Sequence, residues 1–150
     1  MKRYLPDDAA TALLADDVLK AMPAELAGWT MLLSGELGTG KSTFARALIR
    51  AAGHSGAIPS PTYTLVEPYS LPLGTMYHID LYRIGGEEEL PFLGWDELDD
   101  GFRLVEWPER TPGLAASADL ILRLNYSGDG RSAVLEGLNE RGIALIQNIR

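Results

Sequence analysis

The sequence predicts an α/β fold with a mixed, mainly parallel β-sheet, and three observations lead to this prediction. First, apolar runs of strand length alternate with stretches of helical periodicity up to about residue 107. Second, the stretch Gly35–Ser42 satisfies the phosphate-binding pattern G-x-x-x-x-G-K-S/T between a predicted strand and a predicted helix. Third, residues 120–149 combine alternating apolar positions with two turn-rich segments, which indicates antiparallel strands. We therefore expect a three-layer fold of the P-loop NTPase type with antiparallel C-terminal strands.

The first predicted elements are a helix, a strand and a second helix. Residues 8–22 are predicted to form the first helix, because Leu14, Val18 and Met22 share one face at a spacing of four residues. The apolar run Trp29–Leu33 has the length of a strand and leads into the loop. Apolar residues after the loop recur at helical spacing: Phe44, Ala45, Ala47, Leu48 and Ile49.

The middle of the chain is predicted to add three strands and a short helix. Pro59–Pro61 breaks the chain, and Thr62–Glu67 is rich in the β-branched and aromatic residues that favour a strand. Two further strands are predicted at Thr75–Asp80 and Phe102–Glu106. Between them, Glu87–Leu90 is predicted to open a short helix that a proline limits.

The C-terminal part is predicted to be antiparallel. Leucines alternate over residues 120–124, and apolar runs follow at Ala133–Leu138 and Ile143–Ile149. Turn-rich segments at Ser127–Gly130 and Asn139–Gly142 separate these runs. We therefore expect three antiparallel strands beside the parallel part of the sheet.

The composition predicts one domain over residues 1–150. A chain of 150 residues with 46% apolar residues can bury one sizeable core. It contains no cysteine, which excludes disulfides and thiolate metal sites and fits the reducing cytoplasm. The first residues bring basic, acidic and proline residues together before any signal-peptide core, and no run reaches membrane-spanning length. We therefore expect a cytoplasmic protein that does not bind a membrane.

The charge balance argues against direct binding of DNA or RNA. The formal net charge is −8, and no dense basic cluster is present. Because affinity for nucleic acid comes mainly from Lys and Arg at the phosphates, contact with nucleic acid would be indirect, through a basic partner. The alternative is that the acidic surplus only keeps the protein soluble.

The phosphate-binding loop indicates a nucleotide ligand. Glycines at 35, 38 and 40 let backbone N–H groups turn towards an anion, and the following helix adds the positive end of its dipole. Lys41 is expected to reach the terminal phosphates and the Ser42 hydroxyl to ligate Mg²⁺. The alternative is a glycine-rich turn with a chance lysine.

Two predicted strands end in a carboxylate that could complete such a site. Arg103–Glu106 has the Walker B arrangement with Glu106 as its acid, and Met76–Asp80 has the same layout with Asp80. The carboxyl ends of parallel strands meet at one edge of a sheet, so either acid could face the phosphates if its strand is parallel to the first. The alternative for each is a surface acid at a strand end.

The sequence contains four motifs in one order: Gly35–Phe44, Ser60–Val66, His78–Arg83 and Val105–Glu109. Together these motifs resemble the TsaE family, the bacterial ATPases of tRNA threonylcarbamoyladenosine biosynthesis. The resemblance spans about residues 11–109. It departs mildly from the family pattern, with serine at 42 where the family usually has threonine and glutamate at 36 where it usually has aspartate.

The resemblance implies an ATPase that works with the TsaD and TsaB proteins. That complex transfers a threonylcarbamoyl group to an adenosine of tRNAs that read codons beginning with A. ATP and Mg²⁺ are the implied ligands, and ADP is the implied product. The resemblance also implies that the protein contacts tRNA only through the complex. Hydrolysis by the isolated protein is expected to be slow.

The resemblance also implies roles for individual residues. The phosphates would be bound by Gly38, Thr39, Gly40, Lys41, Ser42 and Thr43. Ser42 and Glu106 would lie at Mg²⁺, with Asp80 beside the metal and the attacking water. Thr62 would lie in a switch-like loop that senses the γ-phosphate, and Thr11 near the adenine.

Several residues allow a second interpretation. Trp107 adjoins the acidic strand end and could report nucleotide binding, although an aromatic residue there is more often simple packing. His54 and His78 lack a flanking cluster and are more often structural than metal ligands. Arg83 could act as an arginine finger, but a solvated arginine is the better expectation.

Two other functions remain open from the sequence. A small-molecule kinase also uses this loop, but no arginine-rich insertion of the kind that forms a lid is apparent. A nucleotide-dependent switch would use the same residues as a slow hydrolase. A GTPase is less favoured, because no lysine lies in an N-K-x-D context.

Overall fold

The computed structural model describes residues 1–61 and 64–149. Within them the strands are β1 (Lys2–Leu5), β2 (Thr30–Ser34), β3 (Val66–Leu71), β4 (Gly74–Asp80), β5 (Phe102–Glu106), β6 (Leu120–Ser127) and β7 (Gly130–Gly137). The α-helices are α1 (Asp8–Ala21), α2 (Lys41–Ala51) and α3 (Glu140–Gln147). Short 3-10 segments lie at Glu87–Leu93, Trp95–Asp100, Pro108–Arg110 and Pro112–Ala116.

The strands form one mixed sheet in the order β1-β7-β6-β2-β5-β4-β3. Its centre is parallel, because β2 pairs in parallel with both β5 and β6, and β4 pairs in parallel with β5. Both edges are antiparallel, with β3 on β4 and with β7 between β6 and β1. The predicted mixed, mainly parallel sheet is therefore confirmed in its parallel centre and antiparallel ends.

Side chains of the strands alternate between two apolar layers. Met31 and Leu33 of β2 pack with buried residues of α1, α2 and α3, whereas Leu32 between them packs on the opposite face. That opposite face is covered by the 3-10 segments, through buried Leu90 and Leu114. Burial of each such leucine contributes about 2 kcal/mol to folding. The sheet thus lies between two helical layers, which confirms the three-layer prediction.

Helix α1 begins where the sequence predicts. Asp7 is its N-cap, and its side chain accepts a hydrogen bond from the backbone N–H of Ala10 at 2.9 Å. Leu14 and Val18 are fully buried, as their spacing indicates. None of the helices in the described residues is long and apolar enough to cross a bilayer.

The prediction of a strand at Ile143–Ile149 is wrong, because this segment belongs to helix α3. Asn139 caps the helix by accepting a hydrogen bond from the N–H of Gly142 at 2.8 Å. Leu145 is buried against the sheet, while Ile143 faces solvent. A short apolar run fits both periodicities, and here the cap and the packing against β7 decide for the helix.

Two strands at the edges of the sheet also differ from the prediction. Part of the strand predicted at Thr62–Glu67, residues 62 and 63, lies outside the described residues; among the others, the strand begins at Val66 and continues to Leu71. Its Pro68 is tolerated because β3 is an edge strand. Strand β1 was not predicted, and its polar residues are accommodated because it too lies at an edge, paired only with β7.

Candidate nucleotide-binding site

The loop between β2 and α2 has the backbone that its glycines predict. Gly40 caps α2 with φ at 105°, a left-handed conformation that favours glycine. A Cβ at Gly38 would lie 2.7 Å from the hydroxyl of Tyr126, too close for any larger residue to fit without a shift. The loop therefore brings its backbone N–H groups and the start of α2 together.

Lys41 is folded back on this loop. Its Nζ donates to the carbonyl oxygens of Gly35 at 2.5 Å and Glu36 at 3.0 Å, and it lies 3.8 Å from the centre of the Trp107 ring. Burial lowers the pKa of Lys41, while the nearby carboxylates of Glu106, Glu109 and Asp80 oppose that shift. The ammonium group is thus held at the mouth of the loop by neutral carbonyl acceptors, which an anionic phosphate could replace.

The two predicted acids meet beside the loop. Asp80 and Glu106 are paired across β4 and β5 at the carboxyl ends of these parallel strands. The Ser42 hydroxyl donates to Glu106 Oε1 at 2.8 Å, so three of the predicted residues form one cluster. Both carboxylates are buried, with exposed fractions of 6% for Asp80 and 2% for Glu106.

The environment of Asp80 raises the pKa of its carboxyl group above the ordinary value. Burial raises its pKa, and the charge of Glu106 raises it further. The N–H of Tyr82, which donates to Asp80 Oδ1 at 2.9 Å, acts in the opposite direction, as do His78 and Lys41. Two ionised carboxyl groups at one edge of the sheet repel each other, and a cation bound between them would remove that repulsion. This is the electrostatic situation expected for a metal-binding pair.

A cavity of about 360 Å³ opens above this cluster. Residues that line it are Leu37, Gly38, Gly40, Lys41, Ser42, Thr43, Ser60, Asp80, Tyr82, Glu106 and Trp107. Trp107 has a left-handed backbone with φ at 60°, and its ring lies 5.0 Å from that of Tyr82. Most of the residues predicted for the site therefore share one cavity.

Thr11 and Thr39 line a second, smaller cavity of about 150 Å³. It shares Gly38, Gly40 and Thr43 with the first cavity, so it is a continuation of the same loop surface. The structure thus places Thr11, from α1, beside the phosphate-binding loop. Thr62, which is predicted to sense the γ-phosphate, lies outside the described residues.

Sequence reasoning missed two contributions from the C-terminal hairpin. Tyr126 Oη donates to the carbonyl oxygen of Leu37 at 2.6 Å, and Arg131 Nη2 donates to that of Gly38 at 3.1 Å. The Arg131 guanidinium also lies 4.6 Å from the centre of the Tyr126 ring. No local pattern could identify these residues, because about 90 positions separate them from the loop.

Sequence reasoning also assigned no function to His78. Its Nε2 lies 2.5 Å from Glu106 Oε2, inside the core of the sheet. One signal was available, because His78 is two residues before Asp80 in a strand and therefore faces the same side. His54 lies elsewhere, with its ring 4.9 Å from that of Tyr69.

The donor set fits Mg²⁺ bound together with phosphates. Ser42, Asp80 and Glu106 offer the hard oxygen atoms that this ion prefers. Among the described residues, no group of three or more His, Cys, Asp or Glu side chains could hold a metal ion. Mg²⁺ commonly completes its coordination with substrate phosphates and water, so two carboxylates and a hydroxyl are adequate here.

The fold and this site define the class of the protein. A strand, a glycine-rich phosphate-binding loop and a helix are followed by acids at the ends of two neighbouring parallel strands. This is the arrangement of a P-loop nucleotide-binding α/β protein. The solved structure of YdiB from Bacillus subtilis has the same fold, with a TM-score of 0.80 and 23% identity over 99% of this chain and 93% of that chain.

The chain belongs to the TsaE family. The family model described as threonylcarbamoyl adenosine biosynthesis protein TsaE matches residues 5–133. The tRNA threonylcarbamoyladenosine biosynthesis protein TsaE of Haemophilus influenzae is 35% identical over 90% of this chain and 88% of its own length. The protein of the same name from Aquifex aeolicus is 32% identical over 87% of this chain and 90% of its own length. The resemblance seen in the four motifs is therefore confirmed.

Proposed function

We propose that this protein is an Mg²⁺-dependent ATPase that serves threonylcarbamoyladenosine modification of tRNA. The observation that carries the proposal is the hydrogen bond from Ser42 Oγ to Glu106 Oε1, 2.8 Å long, next to Asp80 and at the mouth of the loop. It joins the loop serine to the acid of the neighbouring strand, which are the two positions that hold Mg²⁺ in P-loop NTPases. The relatives named above carry the biosynthetic role in their names.

Each part of the cavity then has a task in hydrolysis. The N–H groups of Gly38–Thr43 bind the phosphates, and Lys41 leaves the carbonyls of the loop to bind the terminal ones. Mg²⁺, held by Ser42 and Glu106, would neutralise charge on the phosphates. Asp80 orients a water molecule, whose oxygen attacks the γ-phosphorus as the bond to the bridging oxygen breaks. ADP leaves with the bridging oxygen, and the proton lost by the water is carried away on the inorganic phosphate that forms.

We expect the isolated protein to be a slow enzyme. Lys41 is the only cationic side chain among the described residues that line the main cavity. An arginine that stabilises transition-state charge accelerates phosphoryl transfer by about 10³–10⁵-fold in related chemistry. We propose that the TsaD–TsaB pair activates turnover. We also propose that the protein contacts tRNA only through that complex, because its net charge of −8 disfavours direct binding to the phosphates of RNA. The cytoplasm, where tRNA is made in bacteria, is the expected location.

The test is phosphate release from ATP with Mg²⁺, for the protein alone and with the TsaD–TsaB pair. The Lys41→Ala variant is the blank, because it removes the phosphate ligand but retains the backbone of the loop. Strong stimulation by the pair, absent in the blank, is the expected result. Nucleotide binding without stimulation would instead favour the kinase or the switch, and normal turnover by Lys41→Ala would exclude the loop as the site.

A further inference from the structure

His78 is a buried polar residue that the proposed mechanism does not use. It lies in the middle of β4 and has no solvent exposure. Its Nε2 is 2.5 Å from Glu106 Oε2, whereas its Nδ1 has no hydrogen-bond partner among the described residues. A buried polar atom without a partner costs about 1–3 kcal/mol, so an imidazole here requires an explanation.

The pairing of β4 with β5 explains how the two side chains meet. His78 lies opposite Leu104 in the parallel ladder, and Glu106 is two residues further along β5. Because side chains on a strand alternate, His78, Leu104 and Glu106 all point to the face that carries α2. The imidazole thus lies directly behind the carboxylate, on the side away from the cavity.

The geometry also determines which ring nitrogen carries the proton. A carboxylate can only accept hydrogen bonds, so a contact of 2.5 Å places the proton on Nε2. The opposite tautomer would turn two lone pairs towards each other and leave an N–H group buried without an acceptor. The imidazole therefore donates from Nε2 to Glu106 Oε2.

Glu106 is consequently held at both oxygens. Oε2 accepts from His78, and this leaves Oε1 facing Ser42 at 2.8 Å. We propose that His78 is a positioning residue, which fixes the rotamer of the Glu106 carboxylate so that Oε1 faces the metal and phosphate side of the cavity. This inference rests on the proposed function for its effect on Mg²⁺, while the hydrogen bond itself can be tested without metal.

Three substitutions of His78 distinguish the effect of its hydrogen-bond donor from the effect of the packing of its ring. His78→Leu removes the donor, His78→Gln places an amide N–H near the position of Nε2, and His78→Asn places one near that of Nδ1. The measured quantity is the affinity for ADP in excess Mg²⁺ divided by the affinity in EDTA. In His78→Leu we expect this ratio to fall about 10-fold, with the affinity in EDTA within about twofold of wild type.

Rescue by one variant distinguishes positioning from packing. We expect His78→Gln to recover most of the ratio and His78→Asn to remain as low as His78→Leu. Equal ratios in all three variants and wild type would overturn the proposal, as would equal recovery by Asn and Gln. His54→Gln, which removes the other histidine of the chain, is the matched control and should retain the wild-type ratio.

A second readout tests the hydrogen bond in the absence of metal and nucleotide. Imidazole ¹⁵N spectra of the wild-type protein should show His78 protonated at Nε2, with His54→Gln used for assignment. Glu106→Ala should shift the Nε2 signal. An Nε2 without a proton in the wild-type protein would overturn the proposal even if the His78 variants fold poorly, and so would the absence of a response in folded Glu106→Ala. If wild type shows no effect of Mg²⁺ on ADP affinity, the proposed function fails while these spectra still decide the role of His78.

Discussion

Tyr126 and Leu37 are 89 positions apart in the chain, yet the Tyr126 hydroxyl donates to the Leu37 carbonyl oxygen at 2.6 Å. Arg131, from the next strand, binds the carbonyl of Gly38 in the same way. Each carbonyl oxygen points opposite to the N–H of its own peptide group, so donors that hold the carbonyls outside direct N–H groups inside. The C-terminal hairpin is therefore part of the architecture of the phosphate-binding loop.

Tyr126→Phe should weaken nucleotide binding without unfolding the protein. One hydrogen bond contributes about 0.5–1.5 kcal/mol, which corresponds to a loss of about 2-fold to 10-fold in ADP affinity. Tyr77→Phe is a matched control. The Tyr77 hydroxyl also donates one hydrogen bond of 2.6 Å, but its acceptor is Asp100, away from the cavity. Calorimetric affinities that fall equally in both variants would show that the bond to the loop is irrelevant.

Asp80→Asn and Glu106→Gln should reduce turnover more than affinity. Both substitutions retain the shape of the side chain but remove a carboxylate charge from the metal side of the cavity. We expect kcat to fall by roughly 100-fold in both variants. KM for ATP should stay within about threefold of wild type in Asp80→Asn, and it should rise by about 10-fold in Glu106→Gln, which loses a carboxylate ligand of Mg²⁺. Glu136→Gln, which removes a half-exposed acid paired with Arg123, controls for the loss of one negative charge. Unchanged kcat in both cavity variants would remove these residues from the mechanism.

ADP should change the fluorescence of Trp107. The Lys41 ammonium lies 3.8 Å from the centre of this ring, and phosphate binding would draw it away. An emission titration of wild type and Trp107→Phe tests this expectation, and the response should be lost in the variant. Trp95→Phe should retain it, because Trp95 packs with Arg103 outside the cavity. An intact response in Trp107→Phe would place the signal elsewhere.

Asp119→Asn should destabilise the fold by about 2 kcal/mol at pH 7. Asp119 is buried and accepts hydrogen bonds from Arg141, Asn139 and the N–H of Thr30. Burial alone would raise its pKa, but these three donors outweigh it and lower the pKa below the ordinary value. Urea unfolding measures the difference, and Glu136→Gln at the exposed Arg123 pair should cost less than about 0.5 kcal/mol.

The effect of Asp119→Asn should depend on pH with a defined sign. Because the pKa is lower in the folded state, the stabilisation by ionised Asp119 is fully present above the unfolded pKa of about 4. This stabilisation is lost as the pH falls through the pKa of Asp119 in the folded state. Below that pKa the side chain at position 119 is neutral in both the wild type and Asp119→Asn. A difference in unfolding free energy that grows towards acid pH would contradict the hydrogen-bonded carboxylate.

The local features of the site could be predicted from the sequence. The loop at 35–42, the helix after it and the strands that end in Asp80 and Glu106 each depend on neighbours within a few residues. Backbone sterics, helix dipoles and the periodicity of apolar residues act over that range, so their patterns are visible in the sequence. The same reasoning failed at Ile143–Ile149, where a short apolar run fits a strand as well as the observed helix.

The sequence by itself determined the glycine-rich loop pattern, the two acids at the strand ends and the family. Only the tertiary structure decided which partners those residues have: His78 behind Glu106, and the hairpin residues Tyr126 and Arg131 on the loop. The physical reason is that these contacts depend on strand register and sheet order. Both are set by packing across the whole core, and a shift of one residue in register would turn His78 to the other face.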